Sequence, residues 1–290
     1  MATNSLYLFG IRRKSLHMGV RKSATYALLI AGSILFSIPF LWMVSTSLKE
    51  PADLFLYPPM WIPDPIQWQN YLEVYNMVPL LTFVKNTLVI VAFNLIGQLL
   101  SSSLAAFGFA RLRFVGRDTM FLLVLATMML PGFVTMIPTF VLFKSFGWLN
   151  SNKPLIVPAF FGSAFYIFLL RQFFLSLPRE LDEAAELDGC SALDIYWRII
   201  LPLAKPVLAT VAVFCFISNW NDFFGPLIYL NSLDKMTLAL GLALIRTQFH
   251  TVQHFMMAAS VMSVLPIIVI FFLAQNYFVQ GIALTGRTGT

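Results

Sequence analysis

The sequence predicts an all-α protein that crosses a membrane six times. Of its 290 residues, 11% are charged and 59% hydrophobic, and the apolar residues gather into six long runs. Soluble domains carry about 25% charged residues, so this chain lacks the charge to cover a surface facing water. A mean hydropathy of +0.79 agrees. Crossing the hydrocarbon core takes about 20 mostly apolar helical residues, and each run is judged against that length.

Ser23–Leu48, Asn86–Ala110 and Thr119–Phe143 contain no Asp, Glu, Lys or Arg. Pro154–Leu170 is short and reaches spanning length by continuing through Arg171. Pro206–Leu233 holds one acid, Asp222, and Phe255–Gly286 is uncharged and long enough to cross with tilt. The expected organisation is a tail at 1–22 and a transmembrane domain at 23–290. Its spans fall at about 23–48, 83–110, 119–143, 154–175, 206–230 and 255–280, with an outer loop at 49–82 and an inner hairpin at 178–206. The start IRRKSLHMGVRKSATYALLIAG reads like a secretory signal, but its apolar part is longer than a signal's roughly 7–15 residues and no small-residue cleavage site follows. It is expected to remain as the first span.

Orientation follows from Lys and Arg in the connections. A cytoplasmic N-terminus places Arg12, Arg13, Lys14, Arg111, Arg113 and Arg287 inside, with seven more, and leaves six outside: Lys49, Lys85, Lys144, Lys153, Lys235 and Arg246. Both termini and the 178–206 segment are therefore expected in the cytoplasm. The net charge of +6 then reports topology and not affinity for nucleic acid. Pro39, Pro131, Pro138, Pro226 and Pro266 interrupt the runs, and broken helices in membranes border cavities or joints. A passage through the bundle is the expected outcome. Outside, Trp61, Trp68, Tyr71 and Tyr75 among four prolines suit a cap at the interface, or faces for stacking sugar rings.

Residues 178–206 hold six of the thirteen acids: Glu180, Asp182, Glu183, Glu186, Asp188 and Asp194. A helix starting near Ser176 and Pro178 would carry three of them in its first turns, where the helix dipole favours anions. Gly189 is its expected stop, since glycine takes the left-handed conformation freely. Ser191 and Asp194 form an S-x-x-D capping box for a second helix. Leu193, Tyr196, Trp197 and Ile200 would be its apolar stripe and Pro202 its end. The small Ala184 and Ala185 would let another surface approach. Anionic lipid would repel so many acids, so a basic protein partner is the expected neighbour.

Other features carry less. Cys190 and Cys215 form no CxxC pair and read as packing residues. No G-x-x-x-x-G-K-[ST] loop is present, so this chain is not expected to hydrolyse ATP itself. His250 and His254 in HTVQH have i, i+4 spacing, but Thr251 stands where a zinc protease needs Glu, and no metal site is expected. A secondary transporter or channel would need ionisable relays in the membrane, and Asp222 is the one acid well inside a run. Asn219, Trp220, Asn221 and Asp222 are the candidates for lining a passage, the alternative for Asp222 being a packing bond. Lys235, Arg246, His250 and His254 give the last outer connection a basic tint that would suit an acidic oligosaccharide or a polyol phosphate.

The spacing E-A-A, three residues, Gly189, nine residues, Ile199, one residue, Leu201–Pro202 resembles the signature loop of ABC importer permeases. The segments YPPMWIPDPIQWQNY, LAAFGFARLRFVGRD, MMLPGFVTMIP, FYIFLLRQFF and WNDFFGPLIYL are similar to the smaller permease of carbohydrate importers of the maltose or glycerol-3-phosphate kind. The ending FVQGIALTGRTG matches more loosely. The resemblance implies a type I importer fold in the bacterial cytoplasmic membrane. It implies that Glu183, Ala184, Ala185, Asp188, Gly189, Ile199, Leu201 and Pro202 belong to a coupling loop that docks on an ATPase. It further implies a second permease, two copies of that ATPase, a solute-binding protein and a carbohydrate cargo, with ATP and magnesium held by the ATPase subunits. This chain itself would bind no cofactor and catalyse nothing.

Overall fold

The structure, a computed structural model, describes residues 3–248 and 253–285, with side chains for 22–245, 253–273 and 275. Every regular element among these residues is helical. Arg287 and His250 lie outside the described residues, as do the last residues of the FVQGIALTGRTG tail. The side chains of Arg12, Arg13, Lys14 and Arg246 lie outside the described ones. Contacts divide the chain into two units, Met1–Leu72 with Thr251–Val261, and Glu73–His250 with Met262–Thr290.

In the first unit, α1 runs unbroken from Thr3 to Ser47. The expected boundary between a tail at 1–22 and a span does not exist as a break. No proline occurs before Pro39, and the isolated Gly10 and Gly19 cost a helix only about 1 kcal/mol each. The loop at 49–82 folds back on the end of α1. The Asn70 amide donates to the carbonyls of Ser47 (2.9 Å) and Lys49 (3.0 Å), and the Ser45 hydroxyl donates to that of Trp61. Trp42 meets the Trp61 ring edge-on at 5.1 Å and carries the Lys49 ammonium 4.0 Å over its own face. Tyr57, Trp61 and Trp68 stay exposed. Helix α2 follows at Gln69–Met77.

The second unit is built around α3, Leu80–Arg111, about 48 Å long at 1.5 Å per residue. Its polar side chains sit in an apolar helix and so need partners inside the protein. Asn86 donates to the carbonyls of Asp234 and Met236, Thr87 accepts the Leu238 N–H, and Asn94 donates to Leu155 O. Ser101 donates to Ala159 O, and Ser102 accepts the Ser163 N–H. A Cβ on Gly97 would lie 2.9 Å from the Phe160 ring, so only glycine allows that approach.

The third apolar run is not one straight helix. α4 (Arg117–Thr127) and α5 (Gly132–Ser145) meet at 95°. Pro131 stands in an extended conformation at the corner; it lacks an N–H and pushes its predecessor out of the helical region. The other prolines behave differently, for Pro39, Pro138 and Pro266 lie inside continuous helices. The fourth run is α6 (Lys153–Ile156), a 3-10 turn (Val157–Phe161) and α7 (Ala164–Ser176). Then come α8 (Glu180–Leu187), α9 (Ala192–Ile195), a π turn (Tyr196–Ile200) and α10 (Leu201–Leu203). α11 (Lys205–Trp220) bends by 79° from the Ala192–Leu203 limb. α12 (Phe224–Tyr229), α13 (Leu238–Gln248) and α14 (Gln253–Thr285) complete the order. Among the described residues, four helices are long and apolar enough to cross a membrane, or six if each bent pair counts as one span.

Candidate functional site: the 178–206 hairpin and the polar break at 219–222

The hairpin has the expected two limbs. Cys190 N–H bonds to Ala185 O at 2.9 Å and Gly189 N–H to Glu186 O at 3.0 Å, which closes the end of α8. Gly189 has φ +82°, and a Cβ there would meet nothing within 4 Å. Its requirement is therefore conformational and not one of close contact. Ser191 and Asp194 make the reciprocal capping box. The Ser191 hydroxyl and N–H hold the Asp194 carboxyl below the usual carboxylate range.

Several details differ from the sequence reading. α8 starts at Glu180, not at Ser176. Ala185 is 6% exposed and packs inward with Phe174, Ile195, Tyr196 and Ile200, whereas Ala184 is exposed. Of the two alanines, only Ala184 can meet another surface. In the second limb the buried residues are Ile195, Tyr196 and Ile200, and Leu193 and Trp197 point outward. Pro202 does not end the helix. The Leu201 N–H reaches back five residues to Tyr196 O in a π turn, so the widened turn comes just before the proline, which has no donor to place. The bend falls at Ala204 instead.

The acids separate into two sets. Glu180, Glu183, Glu186 and Asp188 are exposed. Asp182 turns inward and meets Arg111, at the end of α3, with Nη1 3.0 Å from Oδ2. Burial pushes its carboxyl above the usual range, and Arg111 pulls it back only in part. Arg111 also donates to Leu177 O at 3.0 Å. On the second limb the Tyr196 hydroxyl lies 2.7 Å from Ser103 Oγ. Neither contact was read from the sequence; a basic residue closing an apolar run and a tyrosine between buried isoleucines were the available signals. Arg113, Arg117 and Arg179 line a neighbouring cleft of about 510 Å³, so the surroundings of the exposed acids are mixed in charge. Leu187, Leu193 and Trp197 stand exposed among them.

At 219–222 the four side chains part company. Trp220 is buried, stacks on Phe216 at 5.3 Å and donates to Ser263 O at 3.2 Å. Asp222 accepts the Gly225 N–H at 3.1 Å, at the start of α12. Asn219 and Asn221 donate to the carbonyls of Cys215 and Ile217 one turn back, and Asn221 is exposed. The basic tint of the connection from Lys235 to His254 also shrinks. Lys235 donates to Asn150 O at 2.7 Å, and His254 is buried against Phe255. Asn94 is buried within this chain, and Gln98 accepts from Ser102.

Residues 97–284 match the family model described as the binding-protein-dependent transport system inner membrane component. The arabinooligosaccharides transport system permease protein AraQ of Bacillus subtilis (strain 168) is 33% identical over 260 residues, 89% of this chain and 92% of that protein. The sn-glycerol-3-phosphate transport system permease protein UgpE of Yersinia pestis bv. Antiqua (strain Antiqua) is 33% identical over 266 residues, 89% and 94% of the two chains. A crystal structure of a bacterial ABC transporter involved in the import of the acidic polysaccharide alginate superposes with a TM-score of 0.77 at 26% identity, covering 96% of this chain and 99% of that one. The chain belongs to the binding-protein-dependent transport system inner membrane component family. It is an ABC transporter permease subunit, a multi-pass component of the bacterial inner membrane.

Proposed function

We propose that this permease forms half of the membrane passage of an ATP-driven carbohydrate importer. Its 178–206 hairpin takes the force from a separate ATPase. The six runs are six spans, the third of them bent, with both termini and the hairpin in the cytoplasm. The observation that carries this reading is the division of the hairpin into two faces. Its inner face is buried against α3 and α7, while exposed acids and the apolar Leu187, Leu193 and Trp197 lie on the other. Outside a bilayer such an apolar patch is a protein-contact surface. Glu183, Ala184, Asp188 and Gly189 meet the ATPase in this reading. Ala185, Ile199, Leu201 and Pro202 support them from behind.

The remaining partners are a second permease, two ATPase copies that hold the ATP and magnesium, and an extracytoplasmic binding protein. Helix α1, exposed along its apolar length, has a surface suited to lipid and to the second permease. The cargo is a carbohydrate of the classes the relatives name, an oligosaccharide or a polyol phosphate. With Lys235 and His254 turned inward, the outer connection gives an acidic cargo less support than its composition suggests. Asn219 and Asn221 keep their amide oxygens free of the bonds their amide nitrogens make, and such acceptors suit passing hydroxyls.

The complex reconstituted in liposomes with its binding protein tests this reading. Labelled oligosaccharide should accumulate with ATP and magnesium inside, and an ion gradient should not replace ATP. Uptake driven by a proton gradient alone would overturn the proposal. Reporter fusions after Arg113 and within 178–206 should report cytoplasm, and fusions at Asp64 and Ser151 the outside.

A further inference from the structure

The hairpin is fastened to α3 at two points, one on each limb. Ser103 and Arg111 lie eight residues apart, about 12 Å along the helix. Two attachments at that separation fix orientation as well as position. Packing alone would not do so, because apolar contact has no directionality. A buried polar group that loses its partner is costly, so the hairpin cannot slide on α3 without stranding one of these groups.

The two attachments differ in kind. Ser103 Oγ lies within hydrogen-bond reach of Leu99 O as well as of the Tyr196 hydroxyl, and a Ser103 proton given to Leu99 O leaves Tyr196 to donate. With Tyr196 fully buried, that bond is complete. The Arg111–Asp182 bridge is incomplete. An arginine and a carboxylate can join through two parallel bonds, and here one is made, Nη1 to Oδ2. Arg111 Nε and Asp182 Oδ1 are both buried without a hydrogen-bond partner. Arg111 Nη2 is taken by Leu177 O, so one guanidinium joins Asp182 on α8 and the chain just after α7 at once.

At its far end the same helix holds the outer connection, through Asn86 to the carbonyls of Asp234 and Met236 and through Thr87 to the Leu238 N–H. We propose that Tyr196 and Arg111 are positioning residues for ATPase coupling, Arg111 with Asp182 holding the first limb on α3 and Tyr196 with Ser103 the second. They make the hairpin and α3 move as one body, so that hairpin displacement reaches residues 234–238. The proposal rests on the coupling role given to the hairpin above.

The test uses the full complex in liposomes, with the binding protein loaded from a panel of neutral and uronic-acid oligosaccharides. The readouts are assembled complex recovered, ATPase with and without loaded binding protein, and sugar imported per ATP. Tyr196→Phe keeps the ring and removes the donor; Asp182→Asn keeps the shape and removes the charge. Tyr196→Phe should assemble and lose stimulation by about 5-fold or more, the scale of coupling between distant sites. Asp182→Asn strands the buried Arg111 charge, so its recovery should fall as well, and its stimulation per recovered complex should fall by a similar factor. Adding Ser103→Ala to Tyr196→Phe should cost nothing further, because the two share one contact. Asp182→Glu should recover part of the loss. Wild-type stimulation and import per ATP in both single variants would overturn the proposal. So would a loss that only tracks the amount of complex recovered, since that marks a purely structural role. A wild-type complex with no ATP-dependent uptake would count against the function proposed above and not against the two attachments.

Discussion

The hairpin at 178–206 and the break at 219–222 both set polar residues against apolar runs, and they use polarity in opposite ways. In the hairpin, polar side chains reach across the fold to another helix: Asp182 to Arg111 and Tyr196 to Ser103. At the break, three of the four bond within a turn of themselves: Asn219 to Cys215, Asn221 to Ile217 and Asp222 to Gly225. Only Trp220 reaches further, to Ser263. Long-range bonds tie the motion of two elements together, whereas local bonds merely let a helix stop inside an apolar region. A cluster of polar residues in a membrane chain is thus not one kind of signal.

The sharpest way to break the comparison lies at the adjacent alanines. Ala185→Asp would bury a charge with no partner, and leaving a buried charge uncompensated costs about 3–5 kcal/mol. The recovered complex should collapse. Ala184→Asp, on the exposed side, should leave recovery intact and lower ATPase stimulation. Equal recovery of the two variants would contradict the division of the hairpin into two faces.

Gly189 gives the next largest effect. A left-handed residue with a Cβ costs about 1–2 kcal/mol, so Gly189→Val should reduce uptake strongly and Gly189→Ala less. Because a Cβ there has open space around it, Gly189→Asn should be close to wild type. If Asn fails as badly as Val, close contact with the ATPase is the constraint, and not φ.

Smaller effects belong to the break. Asp222→Ala removes an acceptor at the start of α12 and should cost about 1 kcal/mol, the usual value of such a cap. It should appear as a lower melting temperature of the purified complex. Asp222→Asn keeps a capping oxygen and should change little, where an ion pair would predict a large loss. Smallest of all, Asn221→Ala should raise the apparent sugar constant by the worth of one hydrogen bond, about 1 kcal/mol. Unchanged affinity in that variant would remove Asn221 from the passage.

The broad plan was legible because lipid is a demanding solvent. The apolar runs, the low charge, the glycine stop at Gly189 and the Ser191–Asp194 box are local or compositional properties, and each reads from a few adjacent residues. The long α1 and the corner at Pro131 were legible only in part. A proline signals lost hydrogen bonding without saying whether the helix kinks or turns, and Pro39, Pro138 and Pro266 pass where Pro131 breaks.

Direction was illegible. Spacing puts Leu193, Tyr196, Trp197 and Ile200 on one stripe, but the π turn at Tyr196–Ile200 shifts the register, and Leu193 and Trp197 face out. Ala184 and Ala185 are the same residue type with opposite exposure. Asp182 differs from Glu183 only in being within reach of Arg111, seventy-one positions earlier in the chain. The sequence by itself determined that this protein spans a membrane and presents a helical hairpin, because hydrophobic length and turn chemistry are written in neighbouring residues. Tertiary structure alone decided which acids are free and which are spent, because pairing depends on which helix ends pack together, and no residue carries that information in its own neighbourhood.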